Sequence, residues 1–280
     1  MHGHEVNRNA GRGRPRRHSL RCAVVVCAGV ACSLALAGMA AAASFEPSEK
    51  VFPATTRAWL SVADPQAFRD SFDRTQYGQL LKDPVMKPFV ESFRAQLRSA
   101  GRQRLGKLGL TLEDLEKVPG GELAIATIES QKGTLATVLL VDTTGHEAET
   151  RELIDTITRR LVEQKATKVA GSGSTPQVTT YLLPSDPADV AQRQRQVSFA
   201  LATSALVVGD DPVQVGQVFA SLAQGRQDCL ATIKAFDAVA AQCRKAMPAK
   251  AAPLRWYADP LGYAKAYRCL LYTSPSPRDS

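Results

Sequence analysis

The chain has 280 residues, 44% apolar and 22% charged, with a formal charge of +8. That balance excludes both a chain too polar to bury a core and one embedded throughout in a bilayer. It also argues against a nucleic-acid binder: Arg8, Arg12, Arg14, Arg16, Arg17 and Arg21 against Glu5 put +5 of the charge in residues 1–43 and leave +3 of mixed sign elsewhere, where a phosphate-following stripe needs clustered Lys and Arg.

Residues 1–43 carry a basic segment, an apolar stretch from Ala23 to about Ala40, and small residues Ala41 and Ala43 before Ser44, the three parts of a secretory leader. Left uncut, residues 21–43 approach the length of a membrane helix and would attach the chain to the membrane. Either way, the arginines keep the N-terminal end in the cytoplasm and place residue 44 onward outside it.

In the exported part, Thr55–Val62 is rich in β-branched and aromatic residues and reads as a strand, closed by Asp64-Pro65, with Asp64 capping the helix that Pro65 begins. Phe68 and Phe72 lie four apart on that helix and are expected to pack inward. A second helix follows, with Val85, Met86, Phe89, Val90, Phe93 and Leu97 on one flank and Arg94, Arg98, Arg102 and Arg104 elsewhere as a solvated face. Thr111 and Asp114 form a shortened capping box, and Pro119-Gly120-Gly121 ends that element. Strands at Glu122–Glu129 and Thr134–Asp142 make a hairpin candidate, the second apolar enough to lie inside a sheet. Residues 146–163 form an amphipathic helix with Leu153, Ile154, Ile157, Leu161 and Val162 on its apolar side. Short strands at Ala166–Ala170 and Gln177–Leu183 flank a Gly171-Ser172-Gly173-Ser174 loop. Two strands follow over Gln196–Val208, turning at Thr203-Ser204, then helices over Val213–Leu222 and Leu230–Arg244. The second of these helices is expected to pack through Leu230, Ile233, Ala238 and Ala241.

Pro253–Pro260 repeats the arrangement of Thr56–Pro65, a strand bearing Arg and Trp before Asp-Pro and a helix, which suggests a second unit opening near 253. The expected fold is therefore α+β, repeated strand-helix units with an antiparallel sheet behind a leader. The expected domains are 1–43 leader or anchor, 44–252 exported domain, 253–268 the start of a second unit, and 269–280 a tail. That tail, with two Ser-Pro steps, resembles a translated sequencing adapter, so the natural chain is expected to continue beyond Arg268.

Chemistry is hard to place on these residues. The exported part has one histidine, His146, expected to play a surface or capping role; one imidazole cannot make a multi-histidine metal site. Cys22, Cys27 and Cys32 belong to the leader; Cys229 and Cys243, 14 positions apart, fit either a disulfide or two separate apolar positions. Cys-His catalysis would need one of them to meet His146. Gly171–Ser174 lacks the strand-to-helix setting of a nucleophile elbow, and no Gly-Lys-Ser/Thr phosphate loop occurs. Asp64, Glu113-Asp114 and Asp210-Asp211 are the available carboxylates for acid-base work, each better explained by a helix start or turn. No catalytic, cofactor or metal residue is assigned.

Trp59-Leu60-Ser61-Val62, Thr75–Leu80, Asp83–Phe89, Leu110–Leu115, Pro119–Ala124, Val207–Asp210 and Trp256–Pro260 together resemble an uncharacterised exported protein family of planctomycete-like bacteria, over roughly residues 50–265. The resemblance implies an intact exported fold and no reaction, and the Thr75–Leu80 phrase is expected to pack a helix-to-helix turn. The expectation is an extracytoplasmic binding or structural protein of the cell envelope, in the periplasm or at the membrane, partnered by an envelope protein or polymer. The alternative is an extracytoplasmic hydrolase whose site is completed beyond Arg268.

Overall fold

The computed structural model describes residues 45–108, 110–111, 113–130, 134–169, 178–184, 195–246 and 252–272. The leader, the Gly171–Ser174 loop and the tail from residue 273 lie outside the described residues. Among those described, the chain forms an α+β fold of eight α-helices and one antiparallel sheet of eight strands. The strands are β1 (Thr56–Val62), β2 (Leu123–Glu129), β3 (Leu135–Asp142), β4 (Thr167–Val169), β5 (Thr179–Leu182), β6 (Gln196–Leu201), β7 (Ala205–Gly209) and β8 (Leu254–Ala258), in the order β4-β5-β6-β7-β3-β2-β1-β8. The helices are α1 (Ser48–Val51), α2 (Pro65–Asp73), α3 (Gln76–Leu80), α4 (Lys87–Leu105), α5 (Glu147–Glu163), α6 (Pro212–Gln224), α7 (Lys234–Ala246) and α8 (Pro260–Tyr272).

The uninterrupted apolar run of β3 follows from cover on both faces. Leu139 and Val141 point into a core closed by Leu153, Ile157 and Leu161 of α5 and by Leu108, Leu110 and Val118 of the connection before β2. Val138 and Leu140 point the other way, into a core closed by Val51 and Phe52, by Val215 and Val218 of α6, and by Leu230. Burying each such side chain stabilises by about 1.5–3 kcal/mol.

The helix starts are set by side-chain oxygens that take up orphan amides. Asp64 accepts from the Ala67 amide at 2.8 Å, Thr75 from the Gly78 amide at 3.0 Å, and Asp211 from the Val213 amide at 2.8 Å. The Thr75–Leu80 phrase is a helix-to-helix turn, with Gly78 against the Phe72 carbonyl where any Cβ would overlap it. Thr111 and Asp114 do form a capping box, the amide of each donating to the other's side chain, but it opens only a single 3-10 turn, Glu113–Leu115.

Three packing expectations are corrected. Phe68 and Phe72 stack on each other at 6.3 Å instead of entering a core, and Phe72 is exposed. The apolar flank of α4 and of the 3-10 turn before it is likewise open, with Val85, Phe89 and Phe93 exposed; periodicity identifies an apolar face but not what covers it. The helix expected from Leu230 is split, because Ile233 is extended (ψ 120°): Leu230–Thr232 is a 3-10 turn and α7 begins at Lys234. Ala238 and Ala241 are then exposed, and Phe236 makes the contact, edge-on to Trp59 at 5.7 Å and to Tyr257 at 5.5 Å.

Candidate functional site

Strand β8 is the last strand of the sheet, and buried ionic contacts decide which way its side chains face. Arg255 donates to Glu122 at 2.9 Å, to Glu49 at 2.5 Å and to Ser61 at 3.3 Å, and its guanidinium lies over the Trp59 ring at 5.2 Å. Glu122 also accepts from the Ser48 amide at 2.9 Å, the Ser48 hydroxyl at 2.7 Å and the Ser61 hydroxyl, and Trp59 Nε1 donates to Ser48 Oγ at 3.0 Å. Each carboxylate oxygen of Glu122 is thus satisfied, as a buried charge requires. Ser48 and Ser61 are both 0% exposed, with hydroxyls committed to Glu122, so neither is open to attack a substrate.

Successive strand residues face opposite sides. With Arg255 held against one face, Leu254 and Trp256 must point to the other. There, strand pairing sets residues side by side in a row Val208, Leu139, Ile125, Leu60, Trp256, and beside it a row Leu206, Val141, Leu123, Val62, Leu254. In the first row exposure rises from 0% at Val208 and 2% at Leu139 to 41% at Leu60 and 72% at Trp256. The apolar layer that forms the core under α5 therefore continues onto β1 and β8 and ends in solvent. The margin is fixed at one end as well: Arg57 donates to Glu129 at 2.8 Å and to Asp259 at 2.9 Å, while Asp259 caps α8 by accepting from the Gly262 amide at 2.8 Å. On the Arg255 side, burial and then the nearby Asp259 carboxylate raise the Tyr257 phenol above its ordinary pKa.

The residues weighed for chemistry are dispersed into structural roles. Asp64 and Asp211 cap helices, and Asp210 accepts from the Thr137 amide at 2.7 Å. Asp114 pairs with Arg160 of α5. Burial works to raise the Asp114 carboxyl, but the Arg160 guanidinium and the bonds to Thr111 outweigh it and hold it below the usual range. His146 occupies the cap position of α5 by its backbone, its carbonyl accepting from Thr150, with no capping bond from the imidazole. Cys229 is buried and Cys243 exposed, both as free thiols, so the disulfide alternative is not the one the structure adopts. Among the described residues no three His, Cys, Asp or Glu side chains are grouped so as to hold a metal.

The fold and this surface define an α+β scaffold with an apolar sheet margin open to solvent. No protein-family model, curated protein or solved structure matches the chain. The sequence marks the strand carrying Trp256 but not the margin, since nothing local sets residues 254 and 256 as the outward pair. The one available signal was the alternation of Leu254, Arg255 and Trp256, which a partner for Arg255 resolves.

Proposed function

We propose that this protein is exported and acts at the cell envelope as a binding protein, engaging a protein partner through the β1–β8 margin. The observation that carries the reading is the outward row ending in Leu60 and Trp256: a large aromatic side chain of a strand, 72% exposed beside other apolar residues, is the kind of anchor that partners bury. The arginine-rich and then apolar first 43 residues support export. The recurrence of strand, Asp-Pro and helix at β1–α2 and β8–α8 supports a build from repeated strand-helix units, and the resemblance to exported planctomycete-like proteins agrees with the same placement.

The test places a photo-crosslinking amino acid at position 256 in intact cells, with the exposed position 151 on α5 as control. A discrete crosslinked envelope species from 256 and none from 151 is the expected result. Equal labelling from both positions, or recovery of the protein from the cytosol with its leader uncut and unattached, overturns the reading.

A further inference from the structure

A second exposed apolar surface lies on α4 and the turn before it, apart from the β1–β8 margin. At about 100° per residue, Phe89 and Phe93 lie within an arc of about 40° on α4, and Val85 sits in the 3-10 turn Pro84–Met86 that leads into it. All three are exposed, Val85 at 84% and Phe89 at 57%, and the two phenyl rings stack at 6.3 Å with an interplanar angle of 6°. Lys87, Arg94 and Arg98 are also exposed and fall on the opposite arc. Over the whole helix, Lys87, Arg94, Arg98, Arg102 and Arg104 against Glu91 give a formal charge of +4.

Two chemistries would accept exposed phenyl rings, a protein groove and a lipid surface, and the charge decides between them. A groove needs only the rings. An anionic bilayer also draws in a helix of net charge +4, since sinking the apolar face about 5–10 Å into the headgroup boundary brings the opposite basic arc, about 10–12 Å away across the helix, within a Debye length of about 8 Å of the lipid charges. At 19 residues α4 is about 28 Å long. No helix among the described residues is long and apolar enough to cross a membrane, so α4 would lie in the interface instead of spanning it.

We infer that α4 is a membrane-surface element, laying Val85, Phe89 and Phe93 into the headgroup boundary of an anionic lipid bilayer. The inference does not depend on what binds the β1–β8 margin.

The test uses the full chain and a site-resolved readout, because the leader can bind lipid by itself. Amide hydrogen exchange is followed without vesicles, with phosphatidylglycerol-containing vesicles and with pure phosphatidylcholine vesicles. Exchange over 84–98 is expected to slow several-fold with the anionic vesicles, less with the neutral ones, and the slowing is expected to fade as salt rises. F89S/F93S is expected to abolish that slowing and R94Q/R98Q to reduce its salt dependence, each with an unchanged urea midpoint. Unchanged exchange over 84–98 while the leader is protected overturns the inference. So does protection of 84–98 only when envelope proteins are added, which assigns the surface to a protein partner, or retention of the full lipid response by F89S/F93S.

Discussion

Arg255 of the edge strand β8 and Glu122, the residue before β2, meet at 2.9 Å although 133 positions separate them in the chain. The pair ties the last strand of the sheet to its interior: the same guanidinium reaches Glu49 beside Ser48, and the same carboxylate receives Ser48 and Ser61. A five-residue edge strand is paired on one side only, so this contact acts beside the Arg57–Asp259 pair and the Phe236–Tyr257 contact in holding it to the sheet.

R255M therefore leaves Glu122 buried with a charge its two serines cannot neutralise. The cost of breaking a buried pair is about 3–5 kcal/mol, and the partial exposure of Arg255 brings the expected loss nearer to about 2–3 kcal/mol. It should appear as a lower urea midpoint together with faster amide exchange over 254–258. A midpoint shift with no change in β8 exchange would place the effect elsewhere.

Trp59 separates packing from hydrogen bonding in the same region. W59F keeps a ring against Phe236 but removes the bond to Ser48, and should cost about 1 kcal/mol. W59A opens the core beneath α7 and should cost about 3–5 kcal/mol. Thermal or urea unfolding of both variants reads the difference; equal losses would mean that the indole bond, not the ring, carries the contribution.

Legibility in the sequence followed the range of the physics. Asp64-Pro65 and Asp211-Pro212 announce helix starts because a cap is a contact over two or three residues, and both make it. The hairpin is legible from the alternation of β2 and the continuous apolar run of β3. The break at Ile233 was not, since its extended backbone lets Leu230 enter the core while Phe236 meets Trp59 and Tyr257, contacts set by distant strands. The candidate surface is hidden for the same reason: Leu60 and Trp256 become neighbours only once β8 pairs with β1, and the register and the Arg255 network, both long-range, say which face they take.

Two glycines should respond in opposite ways. A Cβ on Gly120 would overlap the Thr144 carbonyl oxygen, a backbone atom fixed by the β3 terminus, while one on Gly106 meets nothing within 4 Å. G120A is expected to cost about 1–3 kcal/mol. G106A should be neutral or stabilise by up to about 1 kcal/mol, since it only narrows the unfolded ensemble. Unfolding midpoints of the pair check this, and a harmless G120A would show that the 119–121 segment can move away from Thr144.

The Asp114–Arg160 pair predicts a pH dependence of definite sign. Because the folded carboxyl titrates below the unfolded one, its contribution is fully present above the unfolded value of about 3.9 and is lost as pH falls through the lower folded value. The pair is partly screened, so D114N should cost on the order of 1 kcal/mol at pH 7 and nearly nothing at the acid end of the window. Urea unfolding of wild type and D114N from pH 7 down to about 3 should show the two curves converging. A constant gap would assign the effect to the Thr111 capping bond instead of the charge.

Thiol chemistry tests the arrangement around Cys229. Pro53 and Cys229 form an isolated antiparallel bridge, the Leu230 amide donates to the Phe52 carbonyl at 2.8 Å, and Cys229 is 4% exposed. Cys243, on α7, faces solvent. Alkylation of the native protein followed by peptide mapping should modify Cys243 rapidly and Cys229 only under denaturing conditions. Labelling of both at similar rates would mean that the 52–54 and 228–230 segments open together. A peptide linking the two cysteines in the non-reduced protein would mean that α7 packs differently, because here one thiol is buried beside Pro53, the other faces solvent on α7, and neither is paired.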